Sequence, residues 1–220
     1  MNSTVLQTIE RGPAQAESAV IWLHGLGADG HDFEPIAAEL ELSRTRFVFP
    51  HAPVRPITIN GGLPMRGWFD IVGFGASAPQ DERGIRESAA AVSRLIDVEI
   101  ERGVPSERIV LAGFSQGGAI ALHAALREPR PLAGVIALSS FLPLAGSLPA
   151  EKSTANAALP IFVAHGDADN VIPISMAEES VRRLTAEGYV VDWRVYPMAH
   201  TVCIDEVRDI AAWLRARGLG

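Results

Sequence analysis

Short apolar runs alternate with longer helical patterns along most of this chain, and that alternation constrains the fold more than any other feature. Ala19-Val20-Ile21-Trp22-Leu23, Arg46-Phe47-Val48-Phe49, Arg108-Ile109-Val110-Leu111-Ala112, Gly134-Val135-Ile136-Ala137-Leu138, Pro160-Ile161-Phe162-Val163-Ala164 and Val190 to Val195 read as strands. In Ala19 to Leu23 and Phe47 to Phe49 the apolar residues are continuous rather than alternating, as expected of strands covered on both faces. Between them, residues 32–40, 82–102, 117–126, 175–187 and 202–217 carry apolar positions at three- and four-residue spacing, the signature of amphipathic helices. Strand and helix in alternation predict an α/β fold with a mostly parallel central sheet and helices on both faces. Val5 to Ile9 is read as an added antiparallel edge strand.

The 220 residues suit one domain, 1–220, and are too few for two of typical size. A content of 48% apolar and 20% charged residues is that of a folded globular chain, not a disordered one. The net charge of −7, with arginines scattered along helices, argues against a nucleic-acid partner, which needs clustered cations. No run approaches the ~20 apolar residues of a membrane span, so no stable membrane insertion is expected. Cys203 is the single cysteine, so no intramolecular disulfide can form, and the first residues lack the features of a secretory signal. A cytoplasmic location is the expectation, and Asn2-Ser3-Thr4 is read as a chance match to a glycosylation acceptor.

Two stretches break the alternation. Residues 51–80, rich in Pro and Gly and containing Asn60-Gly61-Gly62, are read as a long functional loop, and 142–158 as a second irregular stretch.

The chemistry begins at Gly113-Phe114-Ser115-Gln116-Gly117, a G-x-S-x-G match with a strand pattern before it and a helix pattern after it. A sharp strand-to-helix turn holds the serine in a strained backbone conformation, and glycines let chain and helix approach closely. A glycine-rich turn with a capping serine would match the same five residues, but the flanking strand and helix favour a nucleophile. No Gly-Lys-Ser/Thr follows, which excludes a phosphate-binding loop.

A serine hydroxyl needs a base, and the base needs an orienting acid. His200 follows the last strand, and Asp167 and Asp169 both follow the strand before it. The residues alone do not separate the two aspartates, either of which can shape a turn. The order Ser, Asp, His is that of the α/β-hydrolase fold. After the first long strand, His24-Gly25-Leu26-Gly27 offers a glycine-rich loop, and Leu26 and Gln116 are read as the main-chain donors of an oxyanion hole. His31, His51 and His123 are read as exposed or structural, and His165 as shaping the loop before Asp169 rather than binding metal. Cys203, lacking an elbow, is read as a packing residue.

With these motifs in place, the chain resembles the small carboxylesterase and acyl-protein thioesterase family, also called phospholipase/carboxylesterase. His24-Gly25-Leu26-Gly27, Arg66-Gly67-Trp68-Phe69-Asp70, Gly113 to Gly118, His165-Gly166-Asp167-Ala168-Asp169 and His200-Thr201-Val202-Cys203 carry the resemblance across nearly the whole chain. It implies a hydrolase without a large cap domain, Asp169 as the acid, and Leu26 and Gln116 as donors. It also suggests that Trp68 and Phe69 lie near the acyl pocket, although both equally suit anchoring of their loop on the core. Family members often have Ser where Thr201 stands.

The expected function is a serine carboxylesterase acting on small to medium-chain esters, because no large lid is evident to shelter a long acyl tail. An acyl-protein thioesterase or lysophospholipase acting on longer chains is the alternative. A lactone hydrolase would carry a thiol at the elbow, and a non-catalytic binding module would be expected to have lost one of the three residues. The expected partner is a small ester or thioester, with no cofactor or metal, and a homodimer is suggested by the resemblance alone.

Overall fold

The computed structural model describes residues 6–73 and 78–220. The Asn2-Ser3-Thr4 triplet and Val5 lie outside them. Strand β2 (Ser18–Leu23) is buried at every position and sits inside the sheet, where apolar side chains from Ala19 to Leu23 cover both faces. It pairs in parallel with β3 (Thr45–Pro50) on one side and β6 (Ile109–Phe114) on the other. From β6 the sheet continues in parallel through β7 (Gly134–Leu138), β8 (Ile161–Gly166) and β9 (Val191–Tyr196). The edge strand β1 (Thr8–Arg11) is antiparallel to β3, as expected, but starts later than Val5. The order in this seven-stranded sheet is β1-β3-β2-β6-β7-β8-β9.

Alternate strand residues feed two apolar layers. Ala19, Ile21 and Leu23 of β2 belong to a core that includes Val92, Leu95 and Ile96 of α2 (Glu82–Glu101), most of α3 (Gln116–Arg127) and Leu184 of α5 (Ile174–Ala186). Val20 and Trp22 face a second core built with α1 (Ile36–Leu40) and α6 (Ile204–Arg215). Together they make the α/β-hydrolase architecture, with helices on both faces of a mostly parallel sheet.

The first helix is shorter than the predicted 32–40, because Pro35 disfavours helical geometry at Glu34 and the helix starts only after it. The 51–80 segment is more regular than the expected loop. Strands β4 (Val54–Ile57) and β5 (Leu63–Arg66) form a separate antiparallel hairpin, turned through Gly61 and Gly62 at positive φ. Pro56 faces Pro64 in that ladder, and two prolines in short strands erase the sequence periodicity that would have announced it. The 142–158 stretch holds one short helix, α4 (Leu148–Glu151), between single 3₁₀ turns.

Candidate active site

At the carboxyl end of β6 the chain turns through Ser115, at φ 54° and ψ −121°, directly into α3. A left-handed φ is costly for a serine and persists only when neighbours over-determine it. Here the Ser115 N–H donates to the Leu138 carbonyl at 2.8 Å, and the Ser140 hydroxyl donates to the Ser115 carbonyl at 2.7 Å. Glycines make the turn sterically feasible. A Cβ on Gly113 would stand 2.4 Å from main-chain atoms of Gly117, and one on Gly118 would stand 2.8 Å from Ser140.

The loops after β8 and β9 bring Asp169 and His200 to the same edge of the sheet. Ala168 N–H donates to the Met198 carbonyl at 3.1 Å, and Asp167 N–H to the Tyr196 carbonyl at 3.0 Å. The approach is so close that a Cβ on Gly166 would lie 2.1 Å from the Met198 carbonyl. His200 Nε2 is 3.0 Å from Ser115 Oγ, and His200 Nδ1 is 2.7 Å from Asp169 Oδ2. With Asp169 ionised, Nδ1–H donates to the carboxylate, which leaves Nε2 free to accept the serine proton. The other Asp169 oxygen, Oδ1, accepts the main-chain N–H groups of Val171 and Ile172, each at 2.9 Å. Burial pushes the Asp169 carboxyl up, but the hydrogen bonds from His200, Ile172 and Val171 outweigh it and hold the group below its ordinary value. Asp167 is exposed and makes no hydrogen bond to His200. Geometry therefore places Asp169, and not Asp167, against the imidazole.

The His24–Gly27 loop runs past the serine, with a Cβ built on Gly25 lying 3.6 Å from the Ser115 Cβ. The main-chain N–H groups of Leu26 and Gln116 have no acceptor among the described residues. His24 braces this loop in a way that sequence reasoning missed. Its Nδ1 is 2.7 Å from the Gly25 carbonyl, its Nε2 accepts from Ala52 N–H at 3.0 Å, and its own carbonyl accepts from the Trp68 indole at 2.8 Å. Burial lowers the His24 pKa, consistent with a neutral ring that must accept at Nε2.

Gln116 contributes more than a main-chain donor. Its side-chain Oε1 accepts from Trp68 N–H and its Nε2 donates to the Phe69 carbonyl, both at 2.7 Å. Trp68 has no exposed surface and Phe69 is nearly as buried, and both belong to the core on the α2 and α3 side. Both side chains therefore pack into the core that anchors their loop. The signal for this clamp is only a glutamine after the serine.

His31, His51 and His123 lie outside this constellation. His31 is exposed and pairs with Glu34 at 2.7 Å, and His51 Nδ1 accepts from Gly30 N–H at 3.0 Å. His123 is buried, and burial pushes it down to about 4. Cys203 starts α6 and packs beside the second core. Among the described residues no group of three or more His, Cys, Asp or Glu is placed to hold a metal ion, and no helix is long and apolar enough to cross a membrane. A cavity of about 550 Å³ lies at the amino edge of the sheet, between Arg11, Glu34, Thr45 and Phe47, away from Ser115.

Glu206, in the first turn of α6, is fully buried, and among the described residues neither carboxyl oxygen has a hydrogen-bond partner in good geometry. Burial pushes it up to about 8, against a weaker downward pull from the Cys203 main-chain N–H. The folded chain therefore keeps a proton that the unfolded chain releases above the ordinary value of 4.5, and stability falls as pH rises from there to 8. Holding one proton across one pH unit is worth about 1.4 kcal/mol, and local relaxation reduces the total. Glu206→Gln, which cannot ionise, is expected to be ~2 kcal/mol more stable than the parent at pH 8 and about equal at pH 4.5, by urea unfolding. Equal displacement at both pH values would show that ionisation is not the cause.

The sequence matches the family described as Phospholipase/Carboxylesterase over residues 5–217. Acyl-protein thioesterase 1 of Mycosarcoma maydis is 38% identical over 96% of this chain and 97% of its own length. Acyl-protein thioesterase 1 of Neurospora crassa is 40% identical over 93% of this chain and 88% of its own length. The crystal structure of acyl-protein thioesterase 2 from Zea mays superposes with a TM-score of 0.88, at 30% identity, over 97% of this chain and 99% of that one.

Proposed function

This chain belongs to the phospholipase/carboxylesterase family of α/β-hydrolases and is a serine hydrolase, and from that premise we propose that it is an acyl thioesterase, with Ser115 as nucleophile, His200 as base and Asp169 as orienting acid. The observation that carries the catalytic assignment is the hydrogen-bonded line from Ser115 Oγ through His200 to Asp169. Ser115 Oγ attacks the acyl carbonyl as its proton passes to His200 Nε2. The oxyanion is received by the main-chain N–H groups of Leu26 and Gln116. The tetrahedral species collapses to an acyl-enzyme, and His200 returns the proton to the departing thiol. Water then attacks the acyl carbonyl, losing its proton to His200, and the acid and free serine are released.

Two observations favour long acyl thioesters over the small esters that a lidless sequence suggested. Full-length relatives at 36–40% identity carry the name acyl-protein thioesterase 1. The β4–β5 hairpin, read from sequence as an irregular loop, abuts the candidate oxyanion loop through the Gly27 N–H to Arg66 carbonyl bond at 2.8 Å. It exposes Val54 and Leu63, and Val171 is exposed two residues beyond Asp169, so the hairpin and the acid's loop present apolar side chains to solvent.

A thioester series from acetyl to palmitoyl on one cysteine peptide, beside the matching serine oxygen esters, tests this reading. We expect kcat/KM to rise by about fourfold for each methylene that becomes buried, until the chain outruns the apolar surface, and thioester to exceed oxygen ester throughout. An optimum at acetyl or butyryl oxygen esters would restore the small-ester reading.

A further inference from the structure

The imidazole of His165, at the carboxyl end of β8, is completely buried, and the chemistry described above does not use it. Its Nε2 lies 2.8 Å from the Ile172 carbonyl and 3.3 Å from Asp169 Oδ2, the same oxygen that faces His200 Nδ1. Its Nδ1 has no partner among the described residues. A carbonyl can only accept, so Nε2 carries the hydrogen and Nδ1 is a bare lone pair. Burial lowers the His165 pKa, so the ring is neutral. An apolar residue of similar volume would fill the same space without leaving a buried nitrogen unpaired, so packing alone does not account for an imidazole here.

We propose that His165 is a positioning residue for the acid: its Nε2–H, donated to the Ile172 carbonyl, fixes the 166–173 loop and sets the positive end of the N–H dipole beside the Asp169 oxygen that faces His200. The inference rests on the reading of Asp169 and His200 as the acid and base.

Asp169 is held from all sides. Val171 and Ile172 N–H groups hold Oδ1, while two imidazoles meet at Oδ2. The titratable groups facing His165 are Asp169 and His200. Removing the His165 donor leaves more negative charge on Oδ2, which favours the protonated form of His200. The acid limb of kcat/KM then moves to higher pH. His165 does not reach the serine or the carbonyl it attacks, so the loss falls on kcat and not on KM.

The test compares His165→Leu, His165→Gln and Asp169→Asn with the parent chain, on one thioester across pH 5–9. His165→Leu is expected to lower kcat by roughly 10- to 100-fold with KM unchanged, and to raise the midpoint of the acid limb by about half a pH unit to one unit. His165→Gln, whose side-chain amide can place a donor near the imidazole Nε2, should recover most of the loss and return the limb towards its parental place. An equal loss at every pH, or no recovery with Gln over Leu, would reduce His165 to packing and overturn the proposal. Should Asp169→Asn keep full activity, the acid–base reading itself would fall, whatever His165 does. Folding of the variants is not required for a second readout. The ¹⁵N shifts of His165 in the parent protein should report the neutral Nε2–H tautomer at pH 7 to 8, and an Nδ1–H tautomer would equally overturn the proposal.

Discussion

Ser115→Ala is expected to lower kcat by about four to six orders of magnitude while leaving the fold intact. The magnitude follows from the geometry. His200 Nε2 has the Ser115 hydroxyl as its partner, 3.0 Å away, and without it the imidazole can at best activate a loosely held water. The free donors at Leu26 and Gln116 would still stabilise an oxyanion, so a residue of catalysis above the uncatalysed rate should survive. Stability should not fall, because among the described residues the Ser115 hydroxyl bonds only His200, whereas the bonds that hold the turn are made by the Ser115 main chain. The measurement is thioester turnover beside stoichiometric labelling by a fluorophosphonate, with the unfolding midpoint as control. The parent chain should label at Ser115 and the variant not at all. Turnover within tenfold of the parent would place the nucleophile elsewhere.

Gly117→Ala should be among the most damaging methyl additions near the site. Its Cβ would stand 2.3 Å from the Leu23 carbonyl oxygen and 2.6 Å from that of His24. Both are main-chain atoms at the end of a central strand, so neither can swing aside as a side chain would. Helix α3 would have to retreat from β2, carrying Gln116 and its clamp on Trp68 and Phe69 with it. A cost above about 4 kcal/mol is expected, enough to leave little folded protein. Gly146→Ala is the matched control. Its Cβ meets nothing within 4 Å, and its backbone is not left-handed. Thermal unfolding of both variants separates the two cases, and equal small effects would mean that the elbow tolerates more backbone movement than its contacts indicate.

Much of the fold is legible in the chain because its cues are local. Continuous apolar runs such as 19–23 and 134–138 name buried strands, and the three- and four-residue spacing in 82–102 names a helix, whatever the rest of the molecule does. The elbow is local as well, since Gly113, Gly117 and Gly118 surround Ser115 within six consecutive residues. Where local cues conflict, the chain is harder to read. Pro56 and Pro64 hide the β4–β5 hairpin, and Pro35 cuts short a helix whose apolar spacing begins earlier.

By itself, then, the sequence determined the order of the main-sheet strands and of the long helices, the turn that presents a serine, and a chain order of Ser, Asp and His suited to one fold. Only the tertiary structure decided which atoms meet. His200 is 85 residues from Ser115 and 31 from Asp169, and the choice of Asp169 over Asp167 depends on which carboxylate the β8 loop turns towards the imidazole. The two histidines on one Asp169 oxygen, the Gln116 clamp on Trp68 and Phe69, and the sealed carboxyl of Glu206 are likewise invisible in the chain. Periodicity and turn chemistry act between near neighbours, whereas these contacts depend on how a twisted parallel sheet sets the ends of separate strands side by side.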